Sequence, residues 1–152
     1  MEGEPGGQLL ADTGDGEAAK TVGPRDLREW LALIEAERLL ELGRIEREES
    51  NYDEAERCYE GALELFRAQG DRNGEGKALG NLGIVYEVQG QHDRAIGHYT
   101  QAIDIAREIG NKRSEGINLG NLGLVYMAQG QRDRAIEHFT RAIAIAVEVG
   151  DK

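Results

Sequence analysis

The chain lacks most of what would give it chemistry of its own. It has a single cysteine, Cys58, in 152 residues. One thiol cannot form an internal disulfide, and no second Cys or His stands at metal-ligand spacing from it. A reducing, cytoplasmic setting is the expectation. No apolar run is long enough to span a bilayer, and no basic start leads into an apolar stretch, so neither a membrane span nor a signal peptide is expected. Basic regions are missing too. The net charge of −11 is spread unevenly. Residues 1–24 carry −4 (one Lys, five acids) and residues 25–72 carry −6 (eight basic, fourteen acidic). Residues 73–112 carry −1 (four basic, five acidic) and residues 113–152 carry 0 (five of each). Without a basic face, binding to nucleic acid or to a membrane surface has no electrostatic support.

Catalytic groupings are also missing. The three histidines, His92, His98 and His138, do not form a metal pair on one helical turn. The stretch Gly74-Glu75-Gly76-Lys77-Ala78 has glycines and a lysine, but it lacks the spacing of a phosphate loop and the Ser or Thr after the Lys. No Ser or Cys nucleophile has a plausible His base. A non-enzyme with no metal and no cofactor is the expectation.

What the chain has is repetition. Leu79-Gly80-Asn81-Leu82-Gly83 returns as Leu119-Gly120-Asn121-Leu122-Gly123, Gly90-Gln91 as Gly130-Gln131, and Asp93-Arg94-Ala95-Ile96 as Asp133-Arg134-Ala135-Ile136, each pair 40 residues apart. A fixed period of this size marks a stack of supersecondary units. Each unit divides into two helical segments. In the second unit, Ala78, Leu79, Leu82, Val85 and Tyr86 fall on one face of a helix over about 73–89. Ala95, Ile96, Tyr99, Ala102, Ile103, Ala106 and Ile109 fall on one face of another over about 92–109. Gly90 and Gly110 follow as C-terminal stops. Asp93 in the first turn and Arg107 in the last have the signs that the helix dipole favours. Gly83 and Ala95 stand where the two helices of one hairpin would cross closely, and Ala102 where the next unit would press in. The first unit is degenerate. Leu42-Gly43, Asp53-Glu54-Ala55, Tyr59 and Ala62 keep the register, while Glu41 stands for Asn81 and Glu46 for Tyr86.

The pattern Leu82-Gly83, Tyr86, Gly90, Ala95, Tyr99, Ala102 resembles the tetratricopeptide repeat, a helix–turn–helix unit. It departs from that pattern at Leu79, where the family often has Trp, and at Arg107, where a Pro usually closes the unit. The 40-residue period resembles the longer variety found in kinesin light chains, in modulators with Leu-Gly-Asn repeats and in bacterial multi-repeat signalling proteins. The resemblance covers residues 39–152. It implies an all-α fold, a right-handed α-solenoid of three hairpins over residues 24–152 (units of about 24–72, 73–112 and 113–152), with a longer first helix starting at Pro24. Residues 1–23, acidic and Gly-rich, are expected to be a disordered tail. Trp30 and Leu27 are expected to fold over the open first end.

The resemblance further implies a protein or peptide partner held in a concave groove lined by the first helix of each unit. The groove positions are Lys77, Gly80, Asn81, Ile84, Glu87 and Val88, then Ile117, Gly120, Asn121, Leu124, Met127 and Ala128. Asn81 and Asn121 could each pair with the main chain of an extended peptide, or bond a neighbouring helix or loop instead. At the other end, Ile143, Ile145, Val147 and Val149 would leave apolar surface uncovered. Either the natural chain continues, as a fragment of a larger signalling protein would, or that end associates with a second copy. The acidic tail is a further possible occupant of the groove.

Overall fold

The computed structural model describes residues 26–150. Among them are six α-helices: α1 (Leu27–Glu48), α2 (Tyr52–Gln69), α3 (Arg72–Val88), α4 (His92–Ile109), α5 (Lys112–Ala128) and α6 (Arg132–Gly150). They pair as three hairpins, α1 with α2, α3 with α4 and α5 with α6. Each hairpin packs on the next through α2 against α3 and α4 against α5. The architecture is an α-solenoid of helical hairpins. The sequence places α4 at its observed bounds and α3 within one residue. The expected tail over residues 1–23, and Pro24 as a helix start, lie outside the described residues. α1 is capped at Asp26, whose carboxylate accepts from the Glu29 N–H at 2.9 Å. Asp71 and Asn111 cap α3 and α5 in the same way, accepting from Gly74 and Ser114 at 3.0 Å. Each cap satisfies one of the N–H groups that a helix start leaves unpaired.

Each hairpin closes on one contact. A Cβ added to Gly43, Gly83 or Gly123 would lie 2.7, 2.6 or 2.7 Å from the ring of Tyr59, Tyr99 or Phe139, respectively. The aromatic of the second helix therefore rests on bare backbone of the first. Tyr59 and Tyr99 are wholly buried there. Ala55, Ala95 and Ala135, one turn earlier on the second helices, are buried at the same level in each unit. Tyr86, Phe66, Leu79, Leu82 and Val85 complete a core that runs unbroken from Ala36 to Val125.

The turn inside each hairpin needs a left-handed residue. Gly90 and Gly130 supply it at φ 76° and 78°, but the first unit uses Ser50 at φ 65°. The extra N-terminal turn of α1 does not cover the first end as expected. Leu27 and Leu31 are both more than half exposed, because among the described residues no helix precedes α1 to pack on that face, although Trp30 is partly buried.

Three substitutions test these packing and backbone claims by urea midpoint. Gly83→Ala forces the Tyr99 ring to move and should destabilise by about 1–3 kcal/mol. Gly120→Ala, where the added Cβ meets nothing within 4 Å, should stabilise by about 0.5–1 kcal/mol through helix propensity. Ser50→Gly should also stabilise, by about 0.5–1 kcal/mol, by relieving a left-handed serine. A loss at Gly120 equal to that at Gly83 would mean that the ring contact is not what requires glycine.

Candidate functional site

The first helices of the second and third units, α3 and α5, touch directly. At the contact, the Asn118 carboxamide oxygen lies 3.0 Å from where a Cβ on Gly80 would stand. Asn118 is buried and donates to the Ser114 carbonyl at 2.9 Å. Gly80, expected as a groove position, is therefore where α3 receives the Asn118 side chain of α5. Asn118 was missed in the sequence, although a polar residue replacing Ala78 on an apolar stripe is a visible signal. α3 and α5 thus form one wall, and their exposed residues are the candidate groove.

The expected groove residues divide into three groups. Val88, Leu124 and Met127 are about half exposed and form apolar contact surface along α3 and α5. Lys77 is exposed about three turns before Val88 on α3. Asn81 is partly buried, and its amide nitrogen donates to the Lys77 carbonyl at 2.9 Å, four residues back on its own helix. Its partner is therefore neither a neighbouring helix nor a loop, and its carbonyl oxygen stays available. Asn121 makes no such bond among the described residues. Ile84 and Glu87 play structural parts. Ile84 packs against the core. Glu87 accepts from the Tyr99 hydroxyl at 2.6 Å, and burial together with this acceptor holds that hydroxyl protonated, well above the usual phenol range. Ile117 is exposed but turns towards the far end of the stack, where it lines an open groove with Gly116, Ala142, Ile143, Ala146 and Val149.

Glu87 and Tyr99 belong to a pair of which both members change together between the second and third units. In the third unit the same two places hold Met127 and Phe139, apolar on both sides. In the first they hold Arg47 and Tyr59, and the Arg47 Nε and the Tyr59 hydroxyl are both buried without a hydrogen-bond partner in the protein. The second unit is the one in which the two groups satisfy each other. In the first unit, Glu41 is tied to Arg44, which also donates to Glu48 at 2.6 Å.

Two more sets of residues were legible only as isolated charges and rings. Glu75 and Glu115 are buried carboxylates that join successive units. Arg67 donates to Glu75 at 2.9 Å with Arg72 at 2.8 Å, and Arg107 donates to Glu115 at 2.7 Å. Arg107 therefore holds the next unit as well as matching the helix dipole. Tyr86 donates to Glu56 at 2.6 Å, lies under the Arg94 guanidinium at 4.3 Å and faces the His98 ring at 5.0 Å. Tyr126, Arg134 and His138 repeat the ring contacts, with Ile96 in the place of Glu56. Cys58 is buried, and burial pushes its thiol up. Among the described residues no group of three His, Cys, Asp or Glu side chains is placed to hold a metal, and no helix is long and apolar enough to cross a membrane.

Two tetratricopeptide repeat family models match the sequence, one over residues 35–108 and one over residues 119–152. The chain belongs to the tetratricopeptide repeat family, whose repeats serve generally as protein–protein interaction modules. No curated protein matches it in sequence. Among solved structures, the tetratricopeptide repeat domain of Arabidopsis FLU is similar at TM-score 0.70 and 21% identity, over 78% of this chain and 98% of that one. BtubC (BKLC) from P. vanneervenii is similar at TM-score 0.71 and 24% identity, over 77% of this chain and 48% of that one. Aspartyl phosphate phosphatase F from Bacillus subtilis follows at TM-score 0.73 and 20% identity, over 76% and 30%. The chain spans nearly all of the first but half or less of the other two. At these identities the likeness is one of fold.

The concerted pair makes a measurable claim. Glu87→Met alone leaves the buried Tyr99 hydroxyl without an acceptor and should cost about 1–3 kcal/mol. Glu87→Met with Tyr99→Phe reproduces the third unit's pair and should recover most of that loss. A double mutant no more stable than the single would show that the two residues are not coupled.

Proposed function

We propose that this protein is a non-enzymatic interaction module that binds a peptide segment of a partner protein along the wall formed by α3 and α5. The observation that carries this reading is the exposed apolar row Val88, Leu124 and Met127 on helices whose core-facing apolar residues are buried, while the other large exposed apolar side chain, Ile117, lines the groove at the far end instead. A row of this kind, flanked by amides, is the chemistry that an extended peptide needs. Asn81 and Asn121 offer carboxamide groups to a peptide main chain. The apolar side chains take up alternate residues of the ligand. Met127 adapts to irregular shapes.

A peptide library displayed against the full chain tests the proposal. Selected peptides should bind the wild type and lose at least about tenfold in affinity, roughly 1.4 kcal/mol, on Leu124→Glu/Met127→Glu. Asn81→Ala/Asn121→Ala should weaken them by a similar factor. Ile143→Glu, on a different surface, should leave them unchanged. Peptides that bind the Leu124→Glu/Met127→Glu variant as well as the wild type would place recognition elsewhere.

A further inference from the structure

The groove between α5 and α6 is about 550 Å³ and is built almost entirely from apolar side chains. The chain contains the same groove one unit earlier, filled. Gly76, Ala102, Ile103, Ile105 and Ala106 on α3 and α4 correspond to Gly116, Ala142, Ile143, Ile145 and Ala146, each 40 residues on. α5 packs against the earlier set. Ile103 is accordingly 4% exposed, whereas Ile143 is 63% exposed. The terminal groove is therefore shaped and lined for the first helix of a hairpin.

The chain also carries one first helix whose matching face is uncovered. On α3 that face is Gly74, Ala78 and Val85, all buried against the preceding unit. The corresponding residues of α1 are Ile34, Arg38 and Ile45, all exposed, and Leu27 and Leu31 extend the same line towards the N-terminus. At 100° per residue these five side chains fall within about 60° of one another, so they form a ridge.

We propose that α1 of a second copy of this chain seats in the α5–α6 groove, head to tail, so that the stack continues across the contact as it runs within the chain. Two details of the internal interfaces support this occupant. The first is size. Where α2 meets α3, large Phe66 faces Gly74, and a Cβ there would lie 2.2 Å from the ring. At the corresponding places of α4 and α5 stand Ala106 and Ser114. At the open end stands Ala146, and the residue that α1 brings is Ile34. Large Phe is thus matched by Gly and small Ala by Ser, and at the open end the small Ala again leaves a site for a side chain, which Ile34 would supply. The second is charge. Arg67 and Arg107 reach forward to Glu75 and Glu115, but the corresponding residue of α6 is Val147. The carboxylate that α1 would bring is Glu35, which is already held by Arg38 of its own helix through bonds of 2.9 and 2.7 Å. It needs no cation from α6.

Other pairings fit less well. Two first ends would bring together two segments of charge −6, whereas the third unit is neutral over 113–152. Two terminal grooves are both concave and offer each other no matching ridge. A head-to-tail contact is heterologous, so it does not close at a dimer unless the rotation happens to complete a ring.

The test is sedimentation velocity on the full 152-residue chain from about 1 µM to about 1 mM, the range of weak to moderate association. The wild type should grow in mass with concentration and pass beyond a dimer. Ile143→Glu blocks the groove and Ile34→Glu blocks the ridge. Both sites are on the surface, and circular dichroism should show both variants folded. Each alone should stay monomeric. Mixed in equal amounts, they should form a 1:1 dimer that grows no further, because one copy keeps a good ridge and the other a good groove. A wild type that is monomeric at 1 mM would overturn the proposal, as it would if the chain's own residues 1–25 filled the groove. Self-association of Ile34→Glu alone, or a mixture that stays monomeric, would overturn it equally.

Discussion

The stack depends on an aromatic ring resting on a glycine. At Gly43, Gly83 and Gly123 the second helix of each hairpin comes so close that its Tyr or Phe occupies the space of the missing side chain. This contact fixes how the hairpin crosses. The crossing in turn fixes which faces of the two helices are left for the neighbouring unit, and so determines where Phe66 meets Gly74 and where Arg107 meets Glu115. Nothing further along the chain can be placed correctly if this crossing shifts. Gly costs helix stability, and its recurrence in all three units shows that close packing outweighs that cost here.

Between units the arrangement is less uniform than within them. The internal boundaries share one ion-pair plan, with a buried Glu receiving an Arg from the unit before. Burying a carboxylate is unfavourable unless it is paired, so the Glu fixes the register of one hairpin on the next as much as it adds stability. Apolar sizes then vary around this fixed point. The exposed surface that results is of two kinds. A row on α3 and α5 is flanked by amides and faces along the helices, and a groove at the last unit has the lining of an internal interface. Their different chemistry suits different occupants.

Much of the fold was legible in the sequence because the 40-residue period, the helix stops and the small residues at crossings all follow from local rules. α4 falls at its expected bounds. The site was less legible, since exposure depends on which neighbours exist. Glu87 is polar and sits at a groove position, yet the Tyr99 hydroxyl takes it up. Only a comparison with Met127 and Phe139 hints at that pairing. Asn81 turns its amide back onto its own helix, a choice that spacing does not reveal. Leu27 was expected to cover the first end and instead stands exposed, because among the described residues no further helix lies there for the longer first helix to fold onto. Arg107 was read from its place in the last turn alone, while its carboxylate partner lies eight residues on, across a turn and in another unit.

Val147 has a consequence for the chain as a set of modules. The second and third units are close copies, and a builder of repeat arrays would treat them as exchangeable. They are not. If the third unit were moved into the interior, the following unit's buried glutamate would face an isopropyl group and lose its guanidinium. If the second were moved to the end, a guanidinium would stand at the rim with no carboxylate to reach for. A single side chain therefore distinguishes two units that otherwise share most of their contacts.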